Sequence, residues 1–429
     1  MTQHTRSSPG NRTSTGRLGI AGAAVTVAAM LTNGLAYLVP MLGARHLTAA
    51  DLSALATVLA LTGIAGVPGL GLQIAIAVRR ARHGHVPAAR VAVTTAALTG
   101  GVLVVLSPLL MAFLQLTVEL AALLTAMTVA VVLSGRWLGE LQGDQRFLRL
   151  AAGMAVLAVG RYGGVIVGLL LGAGLLRSLL AGVVVGCLFL PVLAWLAAPT
   201  PAAAERTPSA TEPTAAAPID AAGPVTSPGP ALRAREVLTA SSATLAMLTV
   251  SYADLILARQ LLPVAGSGAY AVGTVLTKGA LWAPQVVTVL ALPRLANGDR
   301  RTRSVALAVT AACGVVLVVA SALAGGFAFQ LAGGADYVHL GGYAPFFAAT
   351  GALYALVFVL VNARVAAGAR RPAGPLWLAT GGLVIIATLV APHTFAGILG
   401  SSLAMAAVTV VLLAWLTRRS SDSQAQMSH

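Results

Sequence analysis

Long apolar runs separated by short polar breaks fill most of this chain. Twelve of them fall at 18–43, 52–78, 91–114, 120–134, 150–171, 179–197, 237–258, 268–292, 305–323, 341–362, 376–390 and 395–416. A bilayer core of about 30 Å needs about 20 apolar residues in a helix. The runs are too long and too uniformly apolar for the alternating strands of a membrane barrel, so helices are the expected element. The fourth and eleventh runs are the shortest. The pattern predicts an all-α integral membrane protein with about twelve transmembrane helices.

A Pro-, Ala- and Thr-rich stretch between the sixth and seventh runs has too few large apolar residues to form a core. It reads as a cytoplasmic linker. The expected organisation is a disordered tail at 1–17, a six-helix bundle at 18–198, the linker at 199–234, a second six-helix bundle at 235–417 and a tail at 418–429. Each half opens alike. Ala44-Arg45-His46-Leu47 is followed by Pro68 and Arg79, and Ala258-Arg259-Gln260-Leu261 by Pro284 and Arg294. Arg45 precedes Arg79 by 34 residues and Arg259 precedes Arg294 by 35. Six spans per half give both halves the same orientation, a parallel repeat with a cavity expected between them. Pro68 and Pro284, at matching places in the repeat, are the hinge candidates, because proline frees a helix carbonyl that must find another partner.

Composition agrees with the pattern. Of the 429 residues, 58% are hydrophobic and 9% are charged, against roughly 25% charged in a soluble domain. The net charge is +15, but its placement argues against nucleic acid. With the N-terminus in the cytoplasm, 22 of the 27 Lys and Arg residues fall in cytoplasmic segments and three, Arg45, Arg177 and Arg259, on the outer side. That asymmetry is the positive-inside signal of a multi-pass plasma-membrane protein with both termini cytoplasmic. Anionic lipid headgroups are sufficient partners for the basic loops.

Catalytic chemistry is not indicated. The seven histidines, His4, His46, His83, His85, His339, His393 and His429, lie in tails and loops, and no metal spacing is present. No GxxxxGK[ST] loop occurs, so ATP is not hydrolysed by that route. No cofactor is expected. Cys187 and Cys313 fall in apolar runs and read as small core residues. Glu140, Asp144 and Arg146 read as an amphipathic loop anchored by Trp137 and Phe147.

The informative charges are the embedded ones. Lys278, the single lysine of the chain, lies about 15 Å into its span at 1.5 Å per residue, and Arg161 about 16 Å into its own. Both are near the midplane, where charge is costly and is usually kept for function. Asp254, closer to the outer end of the seventh span, is a counter-ion or coupling candidate. Two deep cations with one shallower acid point to a cavity for an anion. The alternative is that Lys278 or Arg161 pairs with Asp254 or with backbone carbonyls. Asn33, Tyr37, Gln73 and Asn362 either line the cavity or join helices by hydrogen bonds.

The stretch YADLILARQLLPVAGSGAYAVGTVLTKGALWAPQVVTVLALPRLA, with Asp254, Gly268, Tyr270, Pro284, Pro293 and Arg294, resembles spans seven and eight of the polysaccharide (lipid-linked oligosaccharide) flippases of the multidrug/oligosaccharidyl-lipid/polysaccharide exporter superfamily. The first two spans, with Arg45, Pro68, Gln73 and Arg79, are similar to the same family's opening. The chain departs from the family at His46-Leu47-Thr48 and Asp51-Leu52, and the Pro- and Ala-rich linker is an addition. The resemblance implies two six-helix bundles, alternating access, and a polyprenyl-pyrophosphate-linked saccharide as cargo for cell-surface polysaccharide synthesis, with a polymerase and glycosyltransferases as further partners. Its cargo-binding candidates are Lys278, Arg161, Arg45, Arg259, Asn33 and Asn362. A cation-coupled multidrug exporter of the same superfamily and a non-transporting scaffold of polysaccharide synthesis are the competing readings. A cationic-drug exporter would be expected to carry embedded acids.

Overall fold

The structure is a computed structural model that describes residues 11–83, 87–198, 234–282, 300–366 and 372–426. The linker, Pro284, Pro293, Arg294 and His85 lie outside these residues. The described part is all-helical: α1 (Asn11–His46), α2 (Ala49–Ala65), α3 (Val67–His83), α4 (Ala89–Leu114), α5 (Val118–Gly143), α6 (Phe147–Leu170), α7 (Gly174–Ala197), α8 (Ala234–Leu261), α9 (Val264–Trp282), α10 (Arg300–Leu323), α11 (Gly325–Gly333), α12 (Ala344–Ala366), α13 (Gly374–Ile385) and α14 (Phe395–Gln426). Ten described stretches are long and apolar enough to cross a membrane. Adding α9, and α13 with the π turn Ile386–Val390 that extends it, gives twelve spans in two six-helix bundles, as the sequence pattern predicts.

Local chemistry sets the helix ends. Thr48, Thr117 and Thr394 each turn a hydroxyl back onto an amide of the first turn of α2, α5 and α14, satisfying a donor that the helix leaves orphaned. The second span is broken rather than continuous. Gly66 closes α2 with its amide on the Thr62 carbonyl at 2.9 Å, and Pro68 sits in the first turn of α3. A proline there lacks a donor that the first turn could not use anyway.

The fourth span differs from its expected bounds. Residues 135–143, read above as a loop, continue α5 to Gly143. The reason is a glycine face. A Cβ at Gly135 would stand 2.2 Å from the Gly69 carbonyl oxygen, and one at Gly139 would stand 2.7 Å from that of Gln73. The backbones of α3 and α5 therefore touch, as small residues allow in membranes. Beyond them Arg80 binds Asp144 at 2.6 Å and Glu140 at 3.6 Å, and Arg136 binds Glu140 at 3.0 Å. The acids of that stretch thus tie α5 to α3. Residues 325–340, between the ninth and tenth apolar runs, form α11 and most of a 3₁₀ turn that runs to Tyr343, and Phe329 and Ala332 of α11 are buried.

Gly135→Leu should lower the thermal unfolding midpoint in detergent, at a cost of about 1–3 kcal/mol for overpacking. Gly101→Leu, where a Cβ would meet nothing within 4 Å, serves as the neutral control. Equal midpoints for the two variants would refute the backbone contact.

Within the first half α1 packs on α6, α6 on α7, and α5 on α3, α4 and α7. Within the second, α12 packs on α9, α10 and α14, and α13 on α8 and α14. The halves meet where α2 and α3 lie along α8, and where α2 and α1 meet α9. Leu52, Ala56 and Ala60 of α2 share one core with Leu255, Ala258, Tyr270, Phe329 and Phe347 of the second half. Tyr270, Phe347 and Phe395 stack edge to face there, with centroids 5.2–5.8 Å apart. Such pairs add about 0.5–1.5 kcal/mol each beyond area burial. Leu98, Val105, Leu188, Val316 and Leu389 are exposed, as expected where the neighbour is acyl chain rather than water. Cys187, expected in the core, is also exposed.

Candidate functional site

Lys278 lies on α9 at the boundary between the halves, 9% exposed. Its ammonium donates to the backbone carbonyl of Ser251 and, at 3.1 Å, to the Ser251 hydroxyl oxygen. It also stands 3.5 Å from the centroid of the Tyr252 ring. The negative face of an aromatic ring attracts a desolvated cation, so α8 supplies three neutral or dipolar partners in two consecutive residues. The Ser251 hydroxyl donates in turn to the Leu248 carbonyl at 3.0 Å, which leaves its lone pairs for the lysine.

The first half reaches this lysine through α1. The Tyr37 hydroxyl donates to the Lys278 carbonyl at 2.8 Å. From α2, Gly63 faces the Tyr252 ring, with 3.7 Å from a Cβ position to the ring edge. Tyr37, Tyr162 and Tyr252 lie within electrostatic reach of one another, and Arg161 within reach of Tyr252. The Arg161 guanidinium carbon is 5.2 Å from the Tyr162 ring centroid. Its Nε is buried with no hydrogen-bond partner, and the residue borders a small cleft of about 20 Å³ walled by Val131, Gly182, Gly186 and Phe189 of the first half. A guanidinium nitrogen left unpaired away from water is costly. Two cations, one from each half, therefore flank a group of three tyrosines.

Asp254 has a different setting. It is 1% exposed and accepts from the Tyr270 hydroxyl at 3.1 Å, the Ser402 hydroxyl at 3.3 Å and the Leu255 amide at 2.8 Å. All of these belong to the second half. No nitrogen–oxygen approach within 4 Å joins it to Lys278, so of the two structural partners considered above the lysine uses the carbonyl. The two charges lie within electrostatic reach of each other without direct contact, and each is held by hydroxyls, a ring face or the backbone.

The other candidates are elsewhere. Arg259 caps α4 of the opposite half, donating from Nε to the Leu114 carbonyl at 2.7 Å and from Nη2 to that of Gln115 at 3.4 Å. Arg45 reaches the Leu331 carbonyl near the end of α11 at 3.5 Å. Asn362 bonds to the Phe358 carbonyl of its own helix at 2.8 Å, and Gln73 to Gln142 within the first half at 3.0 Å. Asn33 lies on α1 one turn before Tyr37.

Sequence reasoning missed Ser251, Tyr252, Tyr162 and Ser402, and named Tyr270 only among the residues of the resemblance. A signal was available. Embedded charges stand beside tyrosine in Arg161-Tyr162 and Ser251-Tyr252-Ala253-Asp254, and the chain has only seven tyrosines.

No family model and no curated protein sequence matches the chain. Solved structures do match its fold. An inward-facing multidrug resistance MATE family transporter of the MOP superfamily aligns with a TM-score of 0.59 at 14% identity, over 92% of this chain and 97% of that one. The lipid II flippase MurJ in an inward closed conformation aligns with a TM-score of 0.63 at 11% identity, over 92% and 87%. An outward-facing MATE transporter of the same superfamily aligns with a TM-score of 0.57 at 16% identity, over 95% of each chain. The two six-helix bundles of this multi-pass membrane protein thus share the fold of MOP-superfamily transporters.

Proposed function

We propose that the chain is a membrane transporter of the flippase kind. It moves a polyprenyl-pyrophosphate-linked saccharide across the plasma membrane by alternating access, for surface polysaccharide synthesis. The observation that carries the reading is the sign of the charges at the boundary of the halves. Lys278 stands over the Tyr252 ring and Arg161 lies within electrostatic reach of the same ring, while Asp254, 1% exposed, is enclosed by Tyr270 and Ser402 inside the second half. A pyrophosphate is attracted to fixed cations. Tyrosine hydroxyls give a saccharide polar contacts, and the tail stays in hydrocarbon. The arginine-rich helix ends are assigned to the cytoplasm, where they meet anionic headgroups and the enzymes that build the cargo.

The second reading is a cation-coupled multidrug exporter, favoured by the enclosed acid Asp254. The two are separated in proteoliposomes. The flippase reading expects translocation of a fluorescent polyprenyl-diphosphate saccharide, and no movement of a lipophilic cationic dye down an imposed proton or sodium gradient. Dye export without saccharide translocation would replace it with the exporter reading.

A further inference from the structure

Behind the cation site lies a groove that the site itself does not use. It has a volume of about 410 Å³ and is walled by Leu61, Ile64 and Pro68 around the break in the second span, by Leu98 and Val102 on α4, and by Leu245 on α8. Leu98 and Val102 are 64% and 56% exposed, so the groove opens on the lipid-facing side of the bundle. Its polar wall residues are Thr95 and Thr99. The Thr99 hydroxyl is tied to the Thr95 carbonyl at 2.8 Å, and Thr95 is itself only 8% exposed. The lining is therefore almost wholly apolar, and hydrocarbon suits it best.

Position supplies the identity of that hydrocarbon. Leu61 and Ile64 flank Gly63, which faces Tyr252, and Tyr252 carries the Lys278 ammonium at 3.5 Å. At about 100° per residue, Leu61 and Ala65 of the groove stand on the side of α2 away from Gly63, so groove and cation fall on opposite sides of that helix. A phospholipid keeps its charged head at the membrane surface. A cargo whose charged head is held at mid-depth needs a place for its tail at that same depth, next to the head.

We infer that this groove holds the isoprenoid tail of the lipid-linked cargo while the pyrophosphate is at Lys278 and Arg161. The inference rests on the flippase reading. Leu245 belongs to the second half and the remaining wall to the first, so the tail touches both halves and is gripped or released as they move.

The test uses the full chain in proteoliposomes with two photoactivatable probes. One is a diazirine-tagged polyprenyl diphosphate without sugar, and the other is phosphatidylglycerol tagged on an acyl chain. The expected result is polyprenyl labelling of α4 between residues 95 and 106, cut at least fivefold in Leu98→Trp and Val102→Trp, with phospholipid labelling unchanged. Both positions are exposed, so the tryptophans leave the packing intact. Equal labelling of that segment by the phospholipid, or polyprenyl labelling unaffected by both tryptophans, would overturn the inference. Groove labelling without saccharide translocation by the wild type would sink the flippase reading and leave the groove assignment standing.

Discussion

Changing Lys278 and Arg161 together to glutamine is expected to reduce saccharide translocation by at least about 100-fold at matched protein levels. A hydrogen bond between charged partners contributes about 1.5–3 kcal/mol, and 1.4 kcal/mol corresponds to a factor of ten. Each single change should therefore cost roughly 10- to 100-fold if the cation meets the pyrophosphate. The fold should survive. Lys278 is bound to the Ser251 carbonyl and hydroxyl and to the Tyr252 ring, and glutamine keeps a donor for the serine. The buried Nε of Arg161 has no partner to lose. Lys278→Arg is the informative companion. It keeps the charge but replaces a point cation by a wider fork, so partial activity is expected. Full translocation in the double variant would show that both charges are structural and that the cargo's charged head is held elsewhere.

Loss of both Arg45 and Arg259 should shift the molecule away from closure on the face where these arginines lie. Each sits at the end of the first helix of its half and donates to carbonyls at a helix end of the other half. The repeat thus places two equivalent clasps across one boundary. Helix C-termini carry partial negative charge that favours a cation. The Arg259 bonds are the shorter pair, and that clasp is worth more than the exposed Arg45 contact at 3.5 Å. If the two together contribute about 1.5–3 kcal/mol, their removal changes the closed population by about 10- to 100-fold. Spin labels at Val118→Cys and Val264→Cys, 62% and 55% exposed near this face, would read it in a background with Cys187 and Cys313 replaced by alanine. Arg45→Gln/Arg259→Gln should add a longer-distance population. An unchanged distance distribution would refute the clasps.

The architecture was legible because hydrocarbon imposes a strong rule. Every backbone group in the bilayer needs an internal partner, so each long apolar run becomes a helix, and twelve runs gave twelve spans. What the runs could not show was how close the helices come. Gly135 and Gly139 look like two glycines among the chain's 46, yet they bring α5 against α3 and draw residues 135–143 into the helix. The depths of Lys278 and Arg161 were readable by counting residues, but their partners were not. The lysine was as free to meet Asp254 as Ser251, and the rotation of α8 against α9 decides between them. Arg45 and Arg259 looked like cargo contacts because they are isolated cations. Only the folded positions of α4 and α11 show the carbonyls they hold.

A lysine that is both solitary and roofed by an aromatic ring has a practical consequence. Reductive methylation with carbon-13 formaldehyde would install, besides the terminal amine, a single pair of magnetically labelled methyls in the whole chain. The ring current of Tyr252 should displace their resonance from that of a free dimethyl-lysine. Any motion that lifts the ammonium off the ring would return the signal toward the free position, which gives the boundary between the halves a built-in spectroscopic reporter.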